Sequence, residues 1–200
     1  MGKLIAIVGV SGVGKTTLAQ ALAAAGDFAV GFEQHAERPF QSLFDQDKRF
    51  ALHNQVDYFL LRAEQERILR ADPRPGLIDG GLDVDYYGFA RLFHKHGYLN
   101  DAEFDLCKRL YAQLRAAIPP PEMVIYLTAS KEIIRQRLAI RDRVNIATSA
   151  DADLLENYLN EWLADLPPDR ILEIDVTTSD PSYAALLPGL QQKMAQRKML

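Results

Sequence analysis

Residues Gly9 to Thr16 read G-V-S-G-V-G-K-T and follow directly on the apolar run Leu4–Val8. This is a complete G-x-x-x-x-G-K-[ST] phosphate loop, with a strand before it and a helix opening at Thr17–Ala23 after it. The glycines let the backbone curl until successive N–H groups point inward at phosphate oxygens. Lys15 adds positive charge near the terminal phosphates, Thr16 offers a hydroxyl to Mg²⁺, and the helix N-terminus favours the same anion. The residues expected to hold a nucleoside triphosphate are Gly9, Ser11, Gly12, Val13, Gly14, Lys15, Thr16 and Thr17.

The rest of the chain fits the fold this loop demands. Four further apolar runs, Phe28–Phe32, Leu77–Asp79, Met123–Leu127 and Ile171–Val176, alternate with helical stretches at Asn54–Arg70, Asp85–His96, Ala102–Ala117, Ser130–Arg141 and Asp151–Ala164. Most of the runs lack polar alternation, as parallel strands covered on both faces do. Strand–helix alternation behind a phosphate loop predicts an α/β fold: a doubly wound, five-stranded parallel sheet flanked by helices, with ligands at the C-terminal strand edge. Two hundred residues without a dividing linker make one domain, residues 1–200. The polar, basic tail Gln191–Leu200 is expected to fray.

Composition narrows the class. A net charge of −4 gives no electrostatic footprint for nucleic acid. No apolar run approaches ~20 residues and the N-terminus enters a strand at once, so a cytoplasmic protein without membrane contact is expected. The lone Cys107 lies between Phe104 and Tyr111 on an amphipathic helix and reads as core packing. His94 and His96, two apart, cannot face one point, and His35 and His53 stand alone, so no histidine metal site is expected.

A phosphate loop does not by itself separate kinase, GTPase and motor ATPase, but the other strand ends discriminate. N-K-x-D is missing and Asp79 does not open a D-x-x-G, which sets the GTPases aside. Glu33 and Asp79 end the second and third strands at the edge that carries the loop. One is placed to take a proton from an acceptor hydroxyl and the other to hold Mg²⁺ through water; either is alternatively a solvated loop acid. Arg135, Arg137, Arg141 and Arg143 cluster late, with Arg137 and Arg141 on one helix face. Such arrays clamp phosphates, and the competing reading is an exposed charged face.

In this order the segments resemble the deoxyribonucleoside kinase family over Leu4 to Val176. Glu33-Gln34-His35-Ala36-Glu37-Arg38-Pro39-Phe40 is similar to the family's catalytic-Glu segment, without its following proline. Gln55 and Arg62 keep the family's seven-residue spacing, Asp85-Tyr86-Tyr87-Gly88-Phe89 resembles the segment after its E-R-S motif, and Arg137-Leu138-Ala139-Ile140-Arg141-Asp142-Arg143 resembles its arginine-rich lid, about 135–150. The resemblance implies that Glu33 deprotonates a 5′-hydroxyl, that the loop with Thr16 and Asp79 holds ATP·Mg²⁺, and that Lys15, Arg137, Arg141 and Arg143 stabilise the transferring phosphoryl. Gln55, Arg62 and Asp85 would contact the base, which favours a purine deoxynucleoside or deoxycytidine over thymidine. A homodimer is also implied, and Tyr58, Phe59, Leu61, Leu106 and Leu110 supply apolar character to its helices.

Two departures bear on this. E-R-S stands here as Asp79-Gly80-Gly81, which removes an arginine, and Val144-Asn145-Ile146 replaces acidic residues after the lid. Two other readings therefore stay open. One is a nucleoside monophosphate or small-metabolite kinase, whose acceptor phosphate would need Arg38 or Arg91; the other is a nucleotide-binding regulatory protein with little turnover.

Overall fold

The computed structural model describes residues 2–31, 38–140, 151–180 and 182–200, and no side-chain placement for Ile140. Its centre is a five-stranded parallel sheet in the order β2-β3-β1-β4-β5. The strands are β1 (Leu4–Val8), β2 (Ala29–Gly31), β3 (Gly76–Asp79), β4 (Met123–Thr128) and β5 (Ile171–Asp175). All five residues of β1 are buried, as befits a central strand covered on both faces, whereas β5 at the edge exposes alternate residues. Register fixes function here: β1 pairs Ile7 with Asp79, and Gly80 N–H donates to the Ile7 carbonyl at 2.9 Å. The end of β3 therefore lies beside the phosphate loop.

One face of the sheet packs on α1 (Lys15–Ala25) and α8 (Leu187–Gln196) through Ile5, Ile7, Leu18, Leu22, Leu77 and Met194. The other packs on α3 (Ala51–Ala71) and α7 (Asp151–Ala164) through Leu4, Ala6, Val8, Leu69, Leu159 and Trp162. Each fully buried leucine in these layers contributes about 1.5–3 kcal/mol relative to exposure. A third apolar cluster joins α2 (Pro39–Gln46), α3, α4 (Arg91–Lys95) and α5 (Asp101–Ala117) around Phe44, Phe59, Phe93 and Cys107. Helix α5 starts on a complete capping box between Asn100 and Glu103, with bonds of 2.8 and 3.0 Å. Helix α6 (Lys131–Ile140) runs up to the 141–150 segment.

Three expectations need correction. The stretch predicted as one helix over Asp85–His96 is a π-helical segment, Val84–Ala90, continued by α4. The tail does not fray: α8 extends through Gln196, Met194 and Met199 are buried, and Arg197 Nη1 donates to the Ile171 carbonyl at 2.8 Å. Its sequence looked polar because only two methionines face inward. Finally, Phe59 and Leu61 turn into their own core, while Leu60, Ile68 and Leu106 form the exposed apolar surface of α3 and α5. No described helix is long and apolar enough to cross a membrane.

Candidate active site

A cleft of about 480 Å³ opens at the C-terminal edge of β1 and β3. The loop after β1 forms one wall, with Gly9, Ser11, Gly12, Gly14, Lys15, Thr16 and Thr17 on the surface. Gly14 has φ +110°, and a β-carbon there would overlap the Tyr183 hydroxyl, so only glycine satisfies both the turn and its neighbour. Val13 contributes backbone alone: its side chain is fully buried, and its carbonyl accepts from Arg137 Nη1 at 2.6 Å and lies 3.4 Å from Tyr183 OH. Lys15 Nζ folds over the loop toward the Gly9 and Val10 carbonyls at 3.0 and 3.2 Å.

Thr16 Oγ1 donates to Asp79 Oδ2 at 2.5 Å, closing the gap between loop and β3. A hydroxyl and a carboxylate side by side are the hard oxygen donors that Mg²⁺ accepts. Among the described residues no three His, Cys, Asp or Glu side chains converge as a metal cage. The donor set thus fits an ion that keeps most of its shell from phosphates and water.

The facing wall carries Arg62, Gly80, Val84, Asp85 and Phe89. Arg62 and Asp85 are both about 4% exposed and pair through Nε and Oδ2 at 3.4 Å, while Arg62 Nη1 donates to Gln65 at 3.1 Å. Gln55 stands behind them, its amide donating to the Asp85 carbonyl at 3.0 Å. Val84, Phe89 and Leu155 add an apolar surface next to this polar pair. Such a pocket suits a flat heterocycle with a mixed donor and acceptor edge.

A buried ion network supports that wall from outside the cleft. Glu66, fully buried, accepts two bonds from Arg115 at 2.6 and 3.0 Å and one from Leu82 N–H at 3.0 Å. Arg115 Nε also donates to Asp83 at 2.8 Å, as does Tyr111 OH at 2.7 Å. Burial, then the Asp83 charge, pushes the Tyr111 phenol far above its usual range. Burial alone would lower the Arg115 pKa, but its two carboxylate partners outweigh it and raise it. Gly81, Leu82 and Asp83 link Asp79 to Asp85, so the network clamps the span between two site carboxylates.

The profile of the deoxynucleoside kinase family matches residues 5–183. The chain belongs to that family. It is thus an enzyme, a deoxynucleoside kinase, which implies a nucleotide phosphate donor. The chain is 27% identical to deoxyadenosine kinase of Dictyostelium discoideum, over 82% of this chain and 68% of that one. It is likewise 27% identical to the deoxyadenosine/deoxycytidine kinase of Bacillus subtilis, over 88% and 84%. In fold, the kinase superposes on deoxyadenosine kinase from M. mycoides, solved with the products dCMP and a flexible dCDP, with TM-score 0.80 at 18% identity over 96% of this chain and 99% of that one.

Within this kinase the structure gathers Lys15, Thr16, Asp79, Arg62, Asp85 and Arg137 around one cleft. Arg137 is held to the backbone carbonyls of Val13 and Val176, the latter at 3.3 Å, and so ties α6 to the loop and to β5. Glu33, Arg141 and Arg143 lie outside the described residues. Val84, Phe89, Leu155 and Tyr183 line the cleft without having been expected there, together with Gly80 of the Asp79-Gly80-Gly81 turn. Phe89, four residues after Asp85, was the one with a signal in the sequence: an aromatic placed to share that residue's face. The described histidines sit in polar or aromatic contacts, His94 with Asp101 at 2.9 Å, His96 with Asp151 at 2.6 Å, and His53 against Phe40 and Phe50, while His35 lies outside the described residues.

Proposed function

We propose that this kinase transfers the γ-phosphoryl of ATP to the 5′-hydroxyl of a purine deoxynucleoside or deoxycytidine, giving the monophosphate for nucleotide salvage in the cytoplasm. The observation that carries the reading is the pairing of opposite walls: a phosphate loop joined through Thr16 to Asp79, and across the same cleft a buried Arg62–Asp85 pair beside Phe89. A guanidinium and a carboxylate together offer donors and acceptors to adenine, guanine or cytosine edges. The printed names of the relatives, deoxyadenosine, deoxyadenosine/deoxycytidine and deoxyguanosine kinases, support the same range.

In this reading the loop N–H groups and Lys15 bind and orient the donor's phosphates. Thr16 and Asp79 would hold Mg²⁺, which when bound neutralises phosphate charge. Glu33 takes the proton from the 5′-hydroxyl, and Arg137, Arg141 and Arg143 screen the phosphoryl from water. Arg62 and Asp85 recognise the base, with Gln55 fixing the Asp85 backbone.

The monophosphate-kinase reading loses its support. Arg38 is engaged by Asp57 through both Nε and Nη2, and Arg91 is paired with Glu161 at 2.6 Å and stacked on Tyr158. Neither lines the cleft. The exposed Leu60, Ile68 and Leu106 support a homodimer through α3 and α5, which light scattering at micromolar concentration checks.

The deciding experiment supplies ATP·Mg²⁺ with each of the four deoxynucleosides and quantifies monophosphate by chromatography. Product from deoxyadenosine, deoxyguanosine or deoxycytidine, with thymidine poorest, is the expected result. ATP binding with no product from any of them would favour the regulatory reading instead.

A further inference from the structure

Three cations line the cleft among the described residues: Lys15, Arg137 and Arg62. Lys15 and Arg137 both hold carbonyls of the phosphate loop and so belong to the donor wall. Arg62 lines the same cleft from the other wall, beside Gly80, the residue that follows Asp79. Its guanidinium lies directly over Gly80: a β-carbon at that position would sit 3.6 Å from Nη2 and 3.9 Å from Cζ, with nothing else within 4 Å. Gly80 itself has φ +83°, a conformation that excludes most side chains, so the turn is built without one. With no side chain at Gly80, Arg62 lines the same cleft as the Thr16–Asp79 junction with only glycine backbone beneath its guanidinium.

From this juxtaposition we infer that Arg62 is a catalytic residue as well as the partner of Asp85. Its Nη2 edge stabilises the charge on the transferring phosphoryl as that group leaves the donor wall. The inference rests on the 5′-hydroxyl reading above. In the step concerned, the acceptor 5′-oxygen forms a bond to the γ-phosphorus while the bond to the β,γ-bridging oxygen breaks. The electron pair leaves with the nucleoside diphosphate, and the hydroxyl proton passes to the base assigned above. Nothing is oxidised or reduced. Arg62 gains or loses no proton and acts by charge and hydrogen bonding alone.

Base recognition and phosphoryl stabilisation predict different kinetics. A residue that acts only in the transition state lowers kcat, and one that binds the ground state raises KM. R62M should lower kcat roughly 100- to 1000-fold for every accepted deoxynucleoside, on top of whatever the lost base contact does to KM. D85N should instead raise KM and change the ranking of bases. R62K should recover part of kcat by restoring charge, and guanidinium ion added to R62A should raise turnover at least about tenfold, which a purely structural role would not permit. If R62M does not fold, R62K and the rescued R62A carry the same comparison.

The inference is overturned if the Arg62 variants raise KM and re-rank bases as D85N does while kcat holds, or if guanidinium rescues nothing. A wild-type enzyme that phosphorylates no deoxynucleoside overturns the substrate reading first and this inference with it. A productive wild type with KM-type Arg62 variants overturns this inference alone.

Discussion

The donor wall of the cleft is one contiguous stretch, Gly9 to Thr17, whereas the facing wall draws Arg62 from α3, Asp79 and Gly80 from the end of β3, and Asp85 and Phe89 from a π-helical segment. The first is held by its own backbone and by β1, with Arg137 as a distant tie at the Val13 carbonyl. The second is held from behind by Glu66 and Arg115, 49 positions apart, and by Gln55, 30 positions from the carbonyl it supports. A wall made of one turn is robust to distant change and fragile to its own residues. A wall assembled from several elements is the reverse, and substitutions separate the two.

The largest effect belongs to the donor wall. K15A should lower kcat at least roughly 100- to 1000-fold, because the charge it supplies cannot be replaced by backbone N–H groups. The thermal midpoint should move little, since Lys15 is half-buried at the cleft and holds carbonyls of its own loop. Chelation of Mg²⁺ should likewise abolish turnover and leave the midpoint unchanged, because among the described residues no cluster of metal-ligating side chains ties folding to a metal. Product chromatography beside a thermal melt reads both.

The facing wall should respond in the opposite sense. E66A leaves Arg115 buried with one carboxylate partner fewer, and breaking such a pair costs about 3–5 kcal/mol of stability. Urea denaturation measures that cost. Replacing Glu66, Asp83 and Arg115 together by Leu, Asn and Met should recover much of it, because no buried charge is then left without its partner. If stability returns while KM for the deoxynucleoside stays raised, the network positions Asp85 beyond merely holding the fold. Equal recovery of both would leave it a packing element only.

Two glycines sharpen the contrast further. G14A meets the Tyr183 hydroxyl as well as an unfavourable φ, so nucleotide binding should fail with it. G80A brings its new methyl into ordinary van der Waals contact with Arg62 and bears only the backbone cost, about 1–2 kcal/mol. Calorimetry of nucleotide binding together with denaturation distinguishes a steric penalty from a conformational one.

This asymmetry is also why the two walls were unequally legible. The phosphate loop is a local pattern whose chemistry follows from eight consecutive residues, and the apolar runs around it predicted the five strands within a residue or two. Arg62 and Asp85 emerged only through spacing shared with a family, since nothing local marks two charges 23 positions apart as partners. Glu66, Arg115 and Asp83 gave no signal, because a buried charge and a solvated one look alike until a partner is placed beside it. The π-helical segment was hidden for a related reason. Its apolar spacing satisfies an α-helix equally well, and the segment packs against α5 and α7 in clusters that no local pattern announces.

Cys107 marks the far end of the scale, where a residue belongs to neither wall and should do nothing to either. It lies on α5, fully buried in the third apolar cluster, and burial pushes its thiol up to about 11. At pH 8 only ~0.1% of it is thiolate, so a native sample should resist alkylation that goes to completion in denaturant. The linkage has a definite sign. Above the unfolded thiol's pKa, near 8.5–9, the unfolded chain releases a proton that the folded chain keeps until about 11. Stability therefore falls slightly across that window, and C107A should remove this part of the alkaline slope while leaving kcat and KM unchanged. A loss of activity on alkylating the folded enzyme would instead connect the helical core to the cleft, and would break the separation between the two walls and the rest of the fold.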